Sequence, residues 1–200
     1  MNILYLSQLV PYPIDAGPKV RSYHVLEYLA SAGHEITLVA FRRPNDQSKS
    51  LKHLEQFCSE IYTIPMVRSR LKDVWDLGKS TLLGRSFLID RDSVKAMDQL
   101  ISTLIRRQRY EAIHADQLWM AQYALRAQTQ LYEQGLNTTL VMDQHNAVHL
   151  IPQRLADNEP NPLKRWVLER EARSMKRYEL QACSQFDRVV WVSVEYRRII

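Results

Sequence analysis

The stretch that decides the fold is residues 2–41, which read NILYLSQLVPYPIDAGPKVRSYHVLEYLASAGHEITLVAF. Residues 3–6 form a short apolar run, which is typical of a strand buried on both faces. A proline-bearing loop follows, and Pro18 suits the first position of a helix. Gly33 ends that helix as a left-handed cap, and residues 35–41 return to a strand pattern. The stretch therefore predicts a strand, a helix and a second strand.

The rest of the chain continues this alternation. Helices are predicted over 51–57, 70–83, 93–109, 118–133 and 163–184. Strands are predicted over 61–64, 111–115, 138–143 and 188–194, and a polar, proline-bearing excursion over 146–161. Strands that alternate with helices need crossover connections, which produce a parallel sheet. We therefore predict an α/β fold with a doubly wound, mostly parallel sheet flanked by helices, in one domain over residues 1–200.

Composition limits the kinds of protein that this chain can be. The 200 residues carry a formal net charge of +5, and Cys58 and Cys183 are far apart, which is typical of a reduced compartment. Residues 1–10 lack the basic start of a signal peptide, and no apolar run approaches the roughly 20 residues of a membrane span. Basic and aromatic residues are not clustered as in nucleic-acid-binding domains. We therefore predict a cytoplasmic protein that binds no nucleic acid.

The start of the first helix is one candidate site, because ligands of such sheets bind beyond the carboxyl ends of the strands. Lys19 and Arg21 lie in the first turn, where cations oppose the helix dipole. Together with Gly17 and the free amides of the helix start, they predict a pocket for an anion. Alternatively, both side chains point into water. The GxGxxG fingerprint is absent, which argues against a common NAD or FAD site.

A second candidate is Asp116, which follows the strand predicted over 111–115. Its carboxylate could act as a general base towards a hydroxyl group. It could also cap the helix that begins at Leu118, since Asp is a favoured N-cap residue.

The third candidate is the polar run DQHN at residues 143–146. His145 and Asn146 could bind a sugar or a phosphate, although turn chemistry explains the same residues. With His114 and Asp116, this run supplies the ligand types that suit divalent ions. No tight ligand motif accompanies them, and we predict no metal.

The helix predicted over 163–184 is rich in basic residues and carries Trp166. Such a helix could lie on an anionic membrane surface or dock a partner protein. An ordinary solvated helix face explains the same pattern.

In this order, the segments resemble the N-terminal half of retaining sugar transferases with the two-domain GT-B architecture, glycosyltransferase family 4 in particular. Residues 29–39, LASAGHEITLV, are similar to the end of the first helix and the second strand of such enzymes. Residues 143–146 resemble the polar end of their fifth strand. Residues 166–179 and 187–193 resemble the last helix and strand of their N-terminal domain.

The resemblance implies a Rossmann-like, acceptor-side domain of an enzyme that moves a sugar from a nucleotide-sugar donor to an acceptor hydroxyl, with retention of configuration. It places Asp116 and His145 at the reaction cleft as catalytic residues. The other candidates are assigned to the donor phosphates (Gly17, Lys19, Arg21) or to the acceptor (Asp15, His114, Asn146). The implied partners are the nucleotide sugar and a sugar or lipid-linked acceptor, in polysaccharide or glycoconjugate biosynthesis. Such catalysis is typically metal-independent, and no further cofactor is implied.

Two departures from the family pattern concern single residues. Ala16 stands where many relatives have the first of two glycines. Asp116, preceded by His114, stands where many relatives place a histidine. The donor-binding C-terminal domain is absent from these 200 residues, so we expect this chain alone to be inactive.

Two alternatives remain open. One is a non-catalytic module that docks a partner or a membrane through residues 163–184, with peripheral contact at the inner membrane face. The other is a fragment of a nucleotide-sugar epimerase of the GT-B type.

Overall fold

The computed structural model describes residues 1–66 and 69–199. The strands are β1 (Asn2–Ser7), β2 (Glu35–Arg42), β3 (Glu60–Pro65), β4 (Ala112–Asp116), β5 (Thr139–Gln144) and β6 (Arg188–Trp191). The helices are α1 (Gly17–Ser31), α2 (Ser48–Leu54), α3 (Arg70–Leu82), α4 (Phe87–Arg91), α5 (Lys95–Arg107), α6 (Leu118–Glu133), α7 (Leu150–Asp157), α8 (Pro162–Gln185) and α9 (Val194–Ile199).

These elements pack as two compact units. The first unit contains the sheet together with α1, α2, α5 and α6. The second unit is helical and contains α3, α4, α7, α8 and α9, with the segment that leads from Gln144 into α7. Among the described residues, none of the helices combines the length and the apolar character that crossing a membrane requires.

The sheet has six strands in the order β3-β2-β1-β4-β5-β6. Its registered pairs are parallel, and Ser7 of β1 stands between Ala40 of β2 and Asp116 of β4. Asp116 in turn stands opposite Asp143 of β5. Because the chain builds outward from β1 and then returns to its other side at β4, these two strands form the topological switch point of the sheet. The predicted α/β fold with a parallel sheet is confirmed.

Helices cover both faces of the sheet. Leu38 of β2 belongs to a buried cluster with Tyr5 of β1 and Leu26 of α1. Phe41 of β2 lies at odd spacing from Leu38 and packs against Tyr123 of α6, with ring centroids 6.0 Å apart. Successive strand residues point to opposite faces, so α1 and α6 lie on opposite sides. This arrangement confirms the doubly wound prediction.

Helix boundaries follow the predicted signals at several positions. Pro18 stands in the first turn of α1, where the backbone needs no intrahelical donor. Gly33 and Gly135 follow the ends of α1 and α6 with φ values of +79° and +71°. An L side chain rarely adopts this conformation, which explains glycine at both positions.

The structure departs from the predicted elements in four places. The helix predicted over 51–57 begins and ends three residues earlier, because a turn at Leu54 closes it. The excursion predicted over 146–161 contains α7, since Pro152 stands in the first turn and breaks no intrahelical hydrogen bond there. The last strand ends at Trp191 and is followed by α9. The short helix α4 was not predicted.

Glu171 of α8 secures α4 in the second unit. Its carboxylate accepts hydrogen bonds from the backbone amides of Phe87 and Leu88, at 3.0 and 3.1 Å, and from the hydroxyl of Ser86. The amides at a helix start have no intrahelical partner, and a carboxylate there also complements the helix dipole. A five-residue helix is thereby stabilised by a residue distant in sequence.

The two cysteines are predicted to react slowly in the native protein. Burial raises the pKa of Cys58 from 9.0 to about 12, and burial together with the Glu179 carboxylate raises that of Cys183 to about 12. At pH 8 the thiolate fraction of each falls about a thousandfold, and the thiolate is the reacting form. Alkylation with iodoacetamide at pH 8, followed by mass spectrometry, measures the rate. Urea-unfolded protein is the control, and complete labelling of native protein within minutes would contradict the assignment.

Candidate functional site

The carboxylate of Asp116 joins three elements at the switch point. The side chain is fully buried, and its Oδ2 accepts hydrogen bonds from Ser7 Oγ at 2.8 Å and Ser22 Oγ at 2.7 Å. Ser7 ends β1, and Ser22 lies in α1. A substrate hydroxyl would therefore reach this oxygen only by displacing one of the two serines. The predicted catalytic role of Asp116 stays a prediction, and the geometry gives it a structural role as well.

Asp116 does not occupy the N-cap of α6, so the capping interpretation was wrong. Gln117 holds that position, with φ +74° and ψ 158° and no side-chain cap hydrogen bond. Its backbone amide instead donates to the carbonyl of Asp143 at 3.0 Å. This conformation is nearly restricted to glycine and costs about 1–3 kcal/mol, and such strain concentrates at functional sites. The amide Nε2 of Gln117 is buried and makes no hydrogen bond with the described residues.

Arg21 is directed onto a buried carboxylate rather than into water. Its Nε lies 2.8 and 2.9 Å from the two oxygens of Asp143, and its Nη2 lies 2.7 Å from Oδ1. Asp143 is almost fully buried, whereas Arg21 is partly exposed. The charge of Arg21, the fifth residue of α1, thus compensates the buried carboxylate of Asp143.

Lys19 also has intramolecular partners. Its Nζ lies 3.1 Å from Asp15 and 4.0 Å from Asp46, and its side chain is mostly buried. The interpretation that Lys19 and Arg21 point into water was therefore wrong. Lys19 belongs to the wall of a pocket of about 690 Å³ between the start of α1 and the loop after β2. The charged side chains of this pocket are Asp15, Lys19, Arg43, Asp46 and Lys49.

Gly17 has open space around it, whereas His114 is buried. A Cβ atom at Gly17 would meet open space, so packing among the described residues does not require glycine there. His114 is buried in β4, and its ring stacks on Tyr5 at 4.5 Å with an interplanar angle of 8°. Burial, followed by the carboxylates of Asp116 and Asp143, raises the pKa of Tyr5 well above its ordinary value. The phenol of Tyr5 therefore stays protonated beside these carboxylates.

His145 and Asn146 belong to the second unit, where a buried carboxylate holds their loop. Glu179 of α8 accepts hydrogen bonds from the backbone amides of Val148 and His149, at 2.9 and 3.3 Å. It also contacts His149 Nδ1 at 2.6 Å and accepts from Gln144 Nε2. These contacts hold the loop on both sides of His145 and Asn146. The predicted roles of these two residues stay predictions.

Two of the basic residues of α8 make hydrogen bonds within the second unit. Arg170 donates to the carbonyls of Ser80 and Arg85, at 2.6 and 3.1 Å, and Arg177 donates to the carbonyl of Gly84 at 3.3 Å. These arginines hold the connection between α3 and α4. The docking role that we predicted for this helix stays a prediction.

The sequence analysis missed Ser7, Ser22 and Gln117. Ser7 could have been found, because a polar residue at the end of an apolar strand falls at the ligand edge of the sheet. Ser22 lies in mid-helix, where nothing in the local pattern distinguishes it from a solvent-facing serine. The strain at Gln117 has no sequence signal, since glycine is the residue that such a backbone usually takes.

Comparison with known proteins finds a weak match to part of one relative. No known protein-family profile matches the chain. A stretch of 76 residues is 29% identical to a protein of Klebsiella pneumoniae described as an uncharacterized 44.6 kDa protein in the cps region. The stretch covers 36% of this chain and 20% of that relative. The chain thus matches about a fifth of the length of the curated relative.

Replacing Arg21 by Met is predicted to lower the free energy of unfolding by about 3 kcal/mol, because the buried Asp143 carboxylate loses its partner. Urea unfolding followed by circular dichroism measures the change. The double variant Arg21→Met/Asp143→Asn should recover part of the loss, since it removes the uncompensated charge. A double variant less stable than Arg21→Met would show that the pair is not what stabilises this edge.

Replacing Glu179 by Ala is predicted to destabilise the protein by about 3 kcal/mol or more, because several buried donors lose their acceptor. Glu179→Gln keeps one acceptor oxygen and should cost less. Glu169→Ala, on the exposed side of the same helix, is the control and should change stability by less than about 0.5 kcal/mol. Equal losses for Glu179→Ala and Glu169→Ala in thermal unfolding would contradict the role of Glu179.

Proposed function

We propose that this chain is the acceptor-side domain of a retaining glycosyltransferase that uses a nucleotide-sugar donor in the cytoplasm. The observation that carries the proposal is the polar cluster at the switch point between β1 and β4. Open parallel sheets bind ligands at that place, outside the carboxyl ends of their strands. Ser7, Asp116, Gln117 and Asp143 all lie there.

The relative from Klebsiella pneumoniae supports a role in polysaccharide biosynthesis. That relative is described as a protein of the cps region. A transferase that builds a surface polysaccharide or glycoconjugate suits such a setting, and the family 4 resemblance implies the same reaction class. The acceptor we propose is a sugar or a lipid-linked sugar.

The pocket beside α1 has the charge for an anionic group of donor or acceptor. Lys19, Arg43 and Lys49 outnumber Asp15 and Asp46 on its wall. Because Lys19 is paired with Asp15 and Asp46, Arg43 and Lys49 are the charges of this wall that could meet an anionic group. Lys19 is held by its two carboxylates, so it is oriented before the ligand arrives.

Asp116 is proposed to act on an acceptor hydroxyl that takes the place of Ser7 or Ser22 at its Oδ2. The acceptor oxygen would attack the anomeric carbon from the face that the nucleotide leaves, which retains the configuration. The bond from that carbon to the phosphate oxygen breaks, the nucleotide departs with the bonding electrons, and the carboxylate of Asp116 accepts the proton of the hydroxyl. We further propose that Gly17 and Arg21 contact the donor phosphates. His145 keeps its predicted catalytic role. We propose a metal-independent reaction in which charged side chains and helix amides stabilise the leaving phosphates.

Asp116→Asn is predicted to lower kcat/KM for sugar transfer by about a hundredfold or more, the usual contribution of a general base. The assay uses the natural full-length gene product with a panel of nucleotide sugars and measures release of the nucleotide and formation of the glycoside.

Asp187→Asn is the matched control, because Asp187 accepts from the Leu140 amide at the opposite edge of the sheet. It should leave kcat/KM within about threefold of the wild type. Wild-type turnover in Asp116→Asn would remove Asp116 from the mechanism. Absence of nucleotide-sugar binding in the full-length protein would contradict the proposed function. A free sugar nucleotide of changed configuration, with no glycoside, would identify the epimerase alternative.

A further inference from the structure

Gln117 has a backbone conformation that its residue type disfavours. Among the described residues four have a positive φ, and the other three are glycines, at positions 33, 84 and 135. With φ +74° and ψ 158°, Gln117 lies in a region that is nearly restricted to glycine. A glycine would adopt this backbone without strain. The strain therefore arises from having a side chain at this position.

Two hydrogen bonds fix this backbone, and neither involves the side chain. The amide of Gln117 donates to the carbonyl of Asp143 in β5 at 3.0 Å, and its carbonyl accepts from the amide of Met120 in α6 at 3.0 Å. A glycine has the same two backbone groups and could make both bonds. The contacts with β5 and α6 thus explain the strained conformation but not the choice of glutamine.

The side chain of Gln117 does not stabilise the fold through a hydrogen bond with the described residues. Its Nε2 is buried and has no partner among them, and the side chain does not cap α6. A buried donor without a partner costs free energy, and such groups in native proteins need an explanation. One residue thus combines backbone strain with an unsatisfied donor. A residue that breaks local rules in this way is typical of a functional position.

The position of Gln117 indicates which ligand it would meet. It follows Asp116 directly at the carboxyl end of β4, beside the switch point where open parallel sheets bind ligands. A carboxamide both donates and accepts hydrogen bonds, and so does a sugar hydroxyl. Gln117 is partly exposed, and rotation about its side-chain bonds can bring the carboxamide outward.

We propose that Gln117 is a specificity-determining residue whose side-chain carboxamide hydrogen-bonds the sugar acceptor, next to the hydroxyl that reacts at Asp116. The acceptor supplies the partner that Nε2 lacks among the described residues. Because the ligand is the acceptor of the transfer, this inference rests on the proposed function. It requires that loss of the carboxamide weakens acceptor binding and leaves the fold at least as stable.

Two substitutions of Gln117 test the proposal. Gln117→Gly removes the strain and the carboxamide, whereas Gln117→Met keeps the strain and removes only the carboxamide. The natural full-length gene product is assayed with octyl glycosides of glucose, galactose and mannose as acceptors and a panel of nucleotide sugars as donors. We expect both variants to raise the KM for the acceptor about tenfold, with kcat and the donor KM within about threefold of the wild type.

Thermal unfolding of the same proteins is the second readout. Gln117→Gly should raise the Tm by about 2 °C or more, because the backbone strain is relieved. Gln117→Met should not lower the Tm, because it removes no hydrogen bond with the described residues. The matched control is Gln130→Met, near the other end of α6, which should leave the acceptor KM and the Tm as in the wild type.

Three results would overturn this inference while leaving the proposed function in place. The first is sugar transfer with a wild-type acceptor KM in both variants of Gln117. The second is a lower Tm in Gln117→Met, which would make the carboxamide structural. The third is a raised donor KM with an unchanged acceptor KM, which would assign the contact to the nucleotide sugar. A wild-type protein that transfers no sugar would contradict the proposed function and this inference together.

Discussion

The buried carboxylate of Asp116 is the constraint on which the switch point of the sheet depends. Through Ser7 and Ser22 it joins the end of β1, the end of β4 and the first turns of α1. A buried carboxylate needs hydrogen bonds, because its desolvation costs several kcal/mol when it has none. The hydrogen bond from Ser22 to this group therefore helps to hold the start of α1 at the carboxyl edge, together with the contact of Arg21 with Asp143.

Asp143 imposes a similar requirement beside it. Two carboxylates on adjacent strands would repel each other in a buried setting, and Arg21 compensates Asp143 with a bidentate contact. The same arrangement explains why α1 tolerates cations in its first turn against the helix dipole. Lys19 follows the same principle with Asp15 and Asp46. Ion pairs thus surround the start of α1. Arg43 and Lys49 are further cations that line the candidate pocket.

The second unit uses buried carboxylates for a different purpose. Glu171 and Glu179 of α8 accept from backbone amides at the start of α4 and in the loop before α7. Irregular backbone leaves donors without partners, and one carboxylate can satisfy several of them. Arg170 of the same helix donates to the carbonyl of Ser80 and so holds the end of α3.

The sequence by itself determined the order of the six strands and of the helices α1, α2, α3, α5, α6 and α8. It also determined the glycine caps and the edge of the sheet where polar residues gather. These features depend on periodicity and backbone preference over a few neighbouring residues, and both can be read locally. Only the tertiary structure decided the partners of Asp116 and Arg21, which lie 109 and 122 residues away in Ser7 and Asp143. It also decided that Gln117 takes a glycine-like backbone and that Trp75 and Leu82 of α3 are exposed among the described residues. These features depend on contacts between residues that are far apart in the sequence. A sequence pattern does not reveal the distance in space between its segments.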